Sequence, residues 1–339
     1  VASPKQQRID PASVPAPSKK AGSTKKPGAR KPKVVPPSAR KAKRASLGDW
    51  ISAARLLTLP LSIAPVLLGA AIAFVYPRAE GDLVGFWILA AACLAVAVFL
   101  QIGVNYANDY SDGVRGTDDD RVGPARLTAS GAARPRTVLT VALVFFALAA
   151  AAGVFIVIRT EHWWLLAVGA VAILAAWFYT GGKRPYGYFA LGELVAFLFF
   201  GIVATAGTVF VLANDIPFET WIAAASIGAI AAAALLVNNI RDREKDAVVS
   251  KRTLAVLIGD RASRILYAFL IIVPPLAATV FFSLVFEMSY LAYFALLAAV
   301  PAAVITLFAR TPGELVIALR LTSLTALLYA LGLGYGIAF

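Results

Sequence analysis

A chain of 339 residues with 60% hydrophobic and 15% charged side chains carries far more apolar surface than a soluble core needs, which excludes a water-soluble globular domain. The net charge of +13 is confined to one end: the first 50 residues hold 13 Lys/Arg against Asp10 and Asp49, leaving the body close to neutral. A single cysteine, Cys93, excludes a disulfide within the chain.

Residues 1–47, rich in Lys, Pro, Ala and Ser, cannot bury enough apolar surface to fold and are expected to be a disordered tail. The tail lacks the apolar run of a signal peptide. Because it abuts a membrane helix, its charge suits anionic lipid headgroups and topology setting better than nucleic acid. The membrane domain, 48–339, follows as an all-α polytopic bundle with nine apolar segments. They span 51–76, 83–106, 137–158, 163–180, 188–213, 218–240, 263–286, 288–309 and 314–338. Basic residues cluster in alternate loops: 107–136, Lys183 and Arg184, 241–264, and Arg310. The positive-inside rule then sets the N-terminus in the cytoplasm of a cell membrane and, with nine helices, the C-terminus outside. His162, the sole histidine, falls in an outer loop and reads as an interfacial residue.

At the end of the second apolar segment the stretch QIGVNYANDYSDGVRGTDDDR, Gln101 to Arg121, carries five aspartates and three side-chain amides. Carboxylates at the mouth of a membrane helix are costly unless they hold a cation or a proton. Gln101, Asn105, Asn108 and Asp112 step by 4, 3 and 4, which puts them on one helical face, directed into the bundle. Gly113 and Gly116 let the chain turn back, so that Asp118 converges on Asp112. The sixth segment ends in NNIRDREKD, where Asn238, Asp242 and Asp246 step by four as a second polar stripe. N-D-Y-S-D (Asn108–Asp112) aligns with N-N-I-R-D (Asn238–Asp242), each ending the second helix of a four-helix half; the ninth helix is left over.

Carboxylate and amide oxygens without nitrogen or sulfur ligands favour a hard cation, most plausibly Mg²⁺. Magnesium takes one or two carboxylates and completes its shell with water and phosphate oxygens, so two facing clusters suit a diphosphate. Cations fitted to such a group surround them: Arg115, Arg126, Lys183, Arg184, Arg241, Lys251 and Arg252. Solvated topology-setting loops are the plain alternative, but paired stripes at helical spacing argue against it. GLGYG (Gly332–Gly336) lies inside an apolar helix with no strand before it, which suits close helix packing and not a nucleotide loop.

At these residues the chain resembles the UbiA superfamily of intramembrane prenyltransferases, over about 48–339. Asn108, Asp112 and Asp118 match its first aspartate-rich motif, and Asp242 and Asp246, preceded by Asn238, match its second. Three longer strings, Asn108–Gly131, YTGGKRPYGYFALGELVAFLFFG (Tyr179–Gly201) and NNIRDREKDAVVSKRTLAV (Asn238–Val256), look most like the branch that prenylates 1,4-dihydroxy-2-naphthoate. Ser250 departs from that pattern, where glycine is expected.

The resemblance implies nine helices and transfer of a polyprenyl group from polyprenyl diphosphate, with Mg²⁺ and without a redox cofactor. Asn108, Asp112, Asp118, Asn238, Asp242 and Asp246 would hold the metal, with Asp112, Asp242 and Lys183 as the catalytic set. Arg126, Lys183, Arg184, Arg241 and Lys251 would bind diphosphate, and Asn105, Tyr110 and Tyr179 would line the acceptor or prenyl pocket. Lys183 and Arg184 fit positive-inside anchors equally well, and Tyr186 and Tyr188 fit an aromatic belt. A UbiA-type enzyme using another acceptor, such as 4-hydroxybenzoate, is the nearest alternative, and a cation-coupled transporter is the non-enzyme one. The transporter suffers from aspartates at helix ends where a midplane site is needed. DYSDG (Asp109–Gly113) fits the CDP-alcohol phosphotransferases poorly, since Gly116-Thr117 stand in place of their Ala-Arg.

Overall fold

The computed structural model describes residues 44–76, 82–116 and 126–339. All but the last few residues of the expected tail, and Asp118, lie outside the described residues. The described chain is helical, and its one β-type pairing is an isolated bridge between Phe189 and Arg252.

Helix α1 (Leu47–Ala53) starts at a reciprocal capping box between Ser46 and Asp49. It breaks at Arg55, whose left-handed φ of 54° turns the chain into a short 3₁₀ segment, and α2 (Pro60–Phe74) opens with proline in its first turn. Helix α3 (Leu83–Arg115) and α4 (Pro135–Thr160) form a long antiparallel pair, followed by the short α5 (Leu165–Phe178). Next come α6 (Gly192–Ala196), a π-helical turn over Phe197–Val203, and α7 (Ala204–Ala213), which together make one span. Helices α8 (Phe218–Val248), α9 (Leu254–Ser283), α10 (Leu296–Phe308, entered through a 3₁₀ stretch from Glu287) and α11 (Pro312–Ala338) complete the bundle.

Among the described residues, seven helical units are long and apolar enough to cross a membrane, and the bent α1–α2 pair, with 48° between its arms, makes up to eight. The expected segment that falls short is the fourth, 163–180: its helix α5 has 14 residues and reaches about 21 Å at 1.5 Å per residue, short of a hydrocarbon core of about 30 Å. Gly182 at φ 77° and Pro185 follow it and prevent its extension. The expected outer C-terminus rests on a count of nine spans, where length and composition give seven or eight among the described residues.

Two features position the site. Helices α3 and α8, at 33 and 31 residues, are about 50 and 46 Å long. They exceed the hydrocarbon thickness by several turns, so their polar C-terminal ends stand at an interface. Helix α8 is also the central post: 78% of its most apolar window is buried, against 28–44% in the other spans. Its alanines, including Ala223, Ala224 and Ala231 to Ala234, are buried and let neighbours approach closely. Closest is the π-helical turn, where a Cβ on Gly201 would lie 2.5 Å from Gly228 Cα. Gly332 on α11 is likewise pressed on backbone, with a Cβ there falling 2.6 Å from the Leu291 carbonyl oxygen. The GLGYG string is thus a packing surface.

Candidate active site

On the last turns of α3 the polar stripe is in place. Asn105, 3% exposed, donates its side-chain N–H to the Ala54 carbonyl at 2.9 Å, tying α3 to the α1 elbow. Asn108 Oδ1 accepts from Thr180 Oγ1 at 2.6 Å and keeps a second lone pair. One turn on, Asp112 Oδ1 accepts from the Tyr188 hydroxyl at 3.5 Å.

Asp109 points elsewhere. Its buried carboxylate accepts from the backbone N–H groups of Leu127 and Thr128 at 2.8 and 2.9 Å, fixing the turn that follows Arg126. Gly113 leaves room for that turn, since a Cβ there would sit 2.5 Å from Thr128 Cβ. Asp109→Ala is expected to lose about 2–4 kcal/mol by stranding two buried donors, with Asp109→Asn losing roughly half as much. Thermal unfolding in detergent measures both; equal stability of Asp109→Ala and the parent would contradict the anchoring role.

At the end of α8, Asp242 receives Arg241 through two bonds, Nε at 2.9 Å and Nη2 at 2.8 Å, with both side chains 8% exposed. Asp246 lies 3.4 Å from Lys251 Nζ, and its carbonyl accepts the Lys251 backbone N–H at 2.8 Å. Between them Ser250 holds φ 59°, the left-handed region in which the expected glycine would be at ease. Ser250→Gly should stabilise the protein by roughly 0.5–1 kcal/mol. An unfolding midpoint that fell would show that the serine side chain contributes more than its backbone strain removes.

The 179–190 loop joins the two helix ends. Arg115 donates to the carbonyls of Thr180 and Gly182. The Tyr188 ring lies 5.7 Å from the Arg115 guanidinium and 5.5 Å from Lys251 Nζ, each within cation–π range. Its carbonyl accepts the Arg252 N–H at 3.2 Å. Tyr188 therefore touches the first acidic motif with its hydroxyl and the basic loop of the second with its face. The aromatic-belt reading of Tyr188 is corrected: contacts 63 and 76 positions away hold it at the site.

A cavity of about 550 Å³ runs from this polar end into the bundle. Asn105, Asn108, Asp112, Arg126, Tyr179, Asn238, Arg241, Asp242 and Lys251 all line it, so both motifs open on one space. Gln101, Arg55, Thr180, Tyr186 and Asn239 join them, and burial raises the Tyr186 phenol well above its ordinary range, keeping it a neutral donor. Deeper, the walls are apolar: Val66, Cys93, Ala97, Leu100, Ile156, Phe199, Phe200 and Val203. From Asp112 back to Cys93 the cavity follows α3 over 19 residues, about 28 Å.

Other expected site residues stand apart. Lys183 and Arg184 are exposed and outside the lining, because the 182–185 turn carries them away from the bundle. Tyr110 packs half-buried on the apolar cluster around Tyr106, Leu127 and Phe146. Asp246 lies a turn beyond the lining, 3% exposed. Asn239 and Glu193, joined at 2.8 Å, were not singled out by the sequence reading; a lone carboxylate at the head of the apolar run LVAFLFFG was the available signal.

The donor chemistry fits Mg²⁺. Among the described residues no three His, Cys, Asp or Glu side chains gather as a closed cage. One carboxylate and amide oxygens on α3 and another such set on α8, both facing the cavity, match an ion that keeps waters and takes phosphate oxygens.

A model of the UbiA prenyltransferase family matches residues 62–324. A Mycobacterium tuberculosis protein named 1,4-dihydroxy-2-naphthoate octaprenyltransferase is 44% identical over 309 residues, covering 87% of this chain and 98% of its own. The Escherichia coli protein of that name is 33% identical, covering 66% of this chain and 72% of its own. Among solved structures, a UbiA homolog from Archaeoglobus fulgidus bound to GPP and Mg²⁺ superposes with a TM-score of 0.58 at 14% identity, covering 86% and 99% of the two chains. An apo UbiA homolog from Aeropyrum pernix gives 0.57 at 15% identity, covering 82% and 96%. At such identities these two show a shared fold.

Proposed function

Since the chain belongs to the UbiA prenyltransferase family, we propose that it transfers a polyprenyl group from polyprenyl diphosphate to 1,4-dihydroxy-2-naphthoate. Carbon dioxide is lost, and demethylmenaquinol and diphosphate are the products of this step of menaquinone synthesis. The observation that carries this reading is the single cavity with both acidic motifs at its polar end and an apolar barrel behind them. A polyprenyl chain is soluble only in the bilayer, so its diphosphate must be met where a membrane interface and an apolar channel coincide. The relatives named for the same reaction supply the acceptor.

In this proposal Asn108 and Asp112, with Asp118, would hold one Mg²⁺, and Asn238 and Asp242, with Asp246 a turn beyond the cavity lining, would hold another. The metal supplies charge neutralisation on the diphosphate oxygens. Arg126, Arg241 and Lys251, all facing the cavity, bind the same oxygens and stabilise the leaving group as the allylic carbon–oxygen bond breaks. The bonding electrons go to diphosphate. The allylic cation is captured by an electron-rich ring carbon, carbon dioxide departs, and the ring regains aromaticity. The apolar walls exclude water that would quench the cation, and the faces of Tyr179 and Phe200 shield it. Lys183 and Arg184, being exposed, serve to draw diphosphate to the mouth. The site faces the cytoplasm, where the basic tail meets anionic headgroups.

Purified protein supplied with one polyprenyl diphosphate and either dihydroxynaphthoate or 4-hydroxybenzoate tests the assignment. Prenylated, decarboxylated naphthoate product, dependent on Mg²⁺ and abolished by chelation, is expected. Turnover of hydroxybenzoate alone would overturn the acceptor, and absence of diphosphate release with either acceptor would overturn the enzyme reading.

A further inference from the structure

Glu193 has no place in the scheme above, yet it is an expensive residue. It sits in the first turn of α6 at the head of an apolar span, is 5% exposed, and has no basic side chain within ion-pair distance among the described residues. A buried carboxylate in such a position is destabilising unless something depends on it. Its Oε1 accepts from Asn239 Nδ2 at 2.8 Å, while its buried Oε2 has no hydrogen-bond partner among the described residues.

This bond sets which way the Asn239 amide is turned, because only its nitrogen end can donate to the carboxyl oxygen. The N–H₂ end faces Glu193 and the carbonyl end is directed elsewhere. Asn239 is itself only 6% exposed, lines the cavity and precedes Asp242 by three residues on the same helix. Glu193 thus presets a hydrogen-bond acceptor at the polar end of the cavity, beside the reacting centre. Neither a polyprenyl chain nor an ionised diphosphate offers a donor to such a group. A phenolic acceptor does.

The surroundings suit a flat ring. Tyr179 and Tyr186 both line the cavity with centroids 5.6 Å apart, and Gly192, the residue before Glu193, packs on Tyr179 so closely that a Cβ there would lie 3.3 Å from its ring. We infer that Asn239, oriented by Glu193, accepts a hydrogen bond from a ring hydroxyl of the aromatic acceptor, between the Tyr179 face and the acidic end of α8. Asn239 touches the acceptor; Glu193 is a positioning residue. The inference rests on the prenyl-transfer reading, and it adds the part of the site that distinguishes a hydroxylated ring from other nucleophiles.

The test uses full-length protein with Mg²⁺, varying acceptor and prenyl diphosphate separately in the parent, Asn239→Ala, Glu193→Gln and Glu193→Leu. Turnover of dihydroxynaphthoate by the parent establishes the underlying reaction; its absence would sink that reading before the subsite is judged. Asn239→Ala and Glu193→Leu should raise KM for the acceptor about tenfold or more, the worth of one hydrogen bond in a buried site, with KM for prenyl diphosphate within about twofold. Glu193→Gln, which keeps an oxygen for Asn239 but adds a competing donor, should fall between. A mono-O-methyl acceptor analogue lacking the donor should be a poor substrate for the parent, and Asn239→Ala should treat it and the dihydroxy acid nearly alike. Glu193→Gln is close to isosteric, so its intact unfolding midpoint separates lost binding from lost fold. An unchanged acceptor KM in a folded variant would overturn the inference. So would a loss that falls on the prenyl diphosphate or Mg²⁺ dependence, which would assign the Asn239 carbonyl to the metal.

Discussion

Asp112→Asn should lower kcat for prenyl transfer on the order of 10³-fold while leaving the fold intact, and Asp242→Asn should lower it as far but also destabilise the protein. The common part follows from charge. In the proposed scheme each substitution removes one negative oxygen ligand from the Mg²⁺-diphosphate site, and electrostatic groups aimed at a developing charge typically carry two to three powers of ten in rate. The difference follows from the partners. Asp112 accepts from the Tyr188 hydroxyl at 3.5 Å, a bond that the asparagine carbonyl can also accept. Asp242 takes two short bonds from Arg241 with both side chains 8% exposed, so its neutralisation leaves the buried guanidinium without that counter-charge. Single-turnover assays across a Mg²⁺ titration, run beside thermal unfolding in detergent, separate the two effects. Retained turnover in either variant at saturating Mg²⁺ would contradict the clamp, and equal unfolding midpoints would contradict the role given to Arg241.

The acidic stripes were legible because their signal is local. Polar side chains four residues apart stand out against an apolar background, and a helix converts that spacing into one face whatever surrounds it. Asn105, Asn108, Asp112, Asn238 and Asp242 accordingly open on one cavity. Asp109, in the same stretch, has an unrelated task, and only the return of Leu127 and Thr128 to its carboxylate shows it.

Residues whose roles depend on distant partners were read less well. Lys183 was placed with the diphosphate by charge and family resemblance, but the turn between Gly182 and Pro185 leaves it exposed. Tyr188 was read from its position near an interface, yet Arg115 and Lys251 lie on either side of it in sequence and over its ring in space. The span count suffered from a related limit. Hydropathy marked 163–180 as apolar, whereas helix length is decided by what stops it, here the glycines and proline after Phe178. Nor does periodicity reveal which membrane helix is central, since lipid and protein neighbours are equally apolar. The burial of α8 comes from its small residues meeting small residues elsewhere, a property of pairs.

That pairing gives the second large effect. Gly201→Val is expected to destabilise the protein by about 3 kcal/mol or more and to reduce prenyl transfer further than the loss of folded protein explains. A Cβ on Gly201 would fall 2.5 Å from Gly228 Cα and 2.6 Å from the Ala224 carbonyl oxygen, both backbone atoms of the central helix that no side-chain rotation can move. Relief requires α8 and the π-helical turn to separate. The turn carries Phe199, Phe200 and Val203 on the cavity wall, and α8 carries Asn238, Asn239 and Asp242 at its polar end. Separation therefore widens the barrel and shifts one acidic motif relative to the other, which is tied to α3. Gly207→Val serves as the control, because a Cβ there meets nothing within 4 Å. It narrows the same cavity without touching α8, so it should keep the parent's unfolding midpoint and alter only the length of prenyl chain accepted. Comparable unfolding midpoints for the two variants would show that the close approach of Gly201 to Gly228 does not hold the site together.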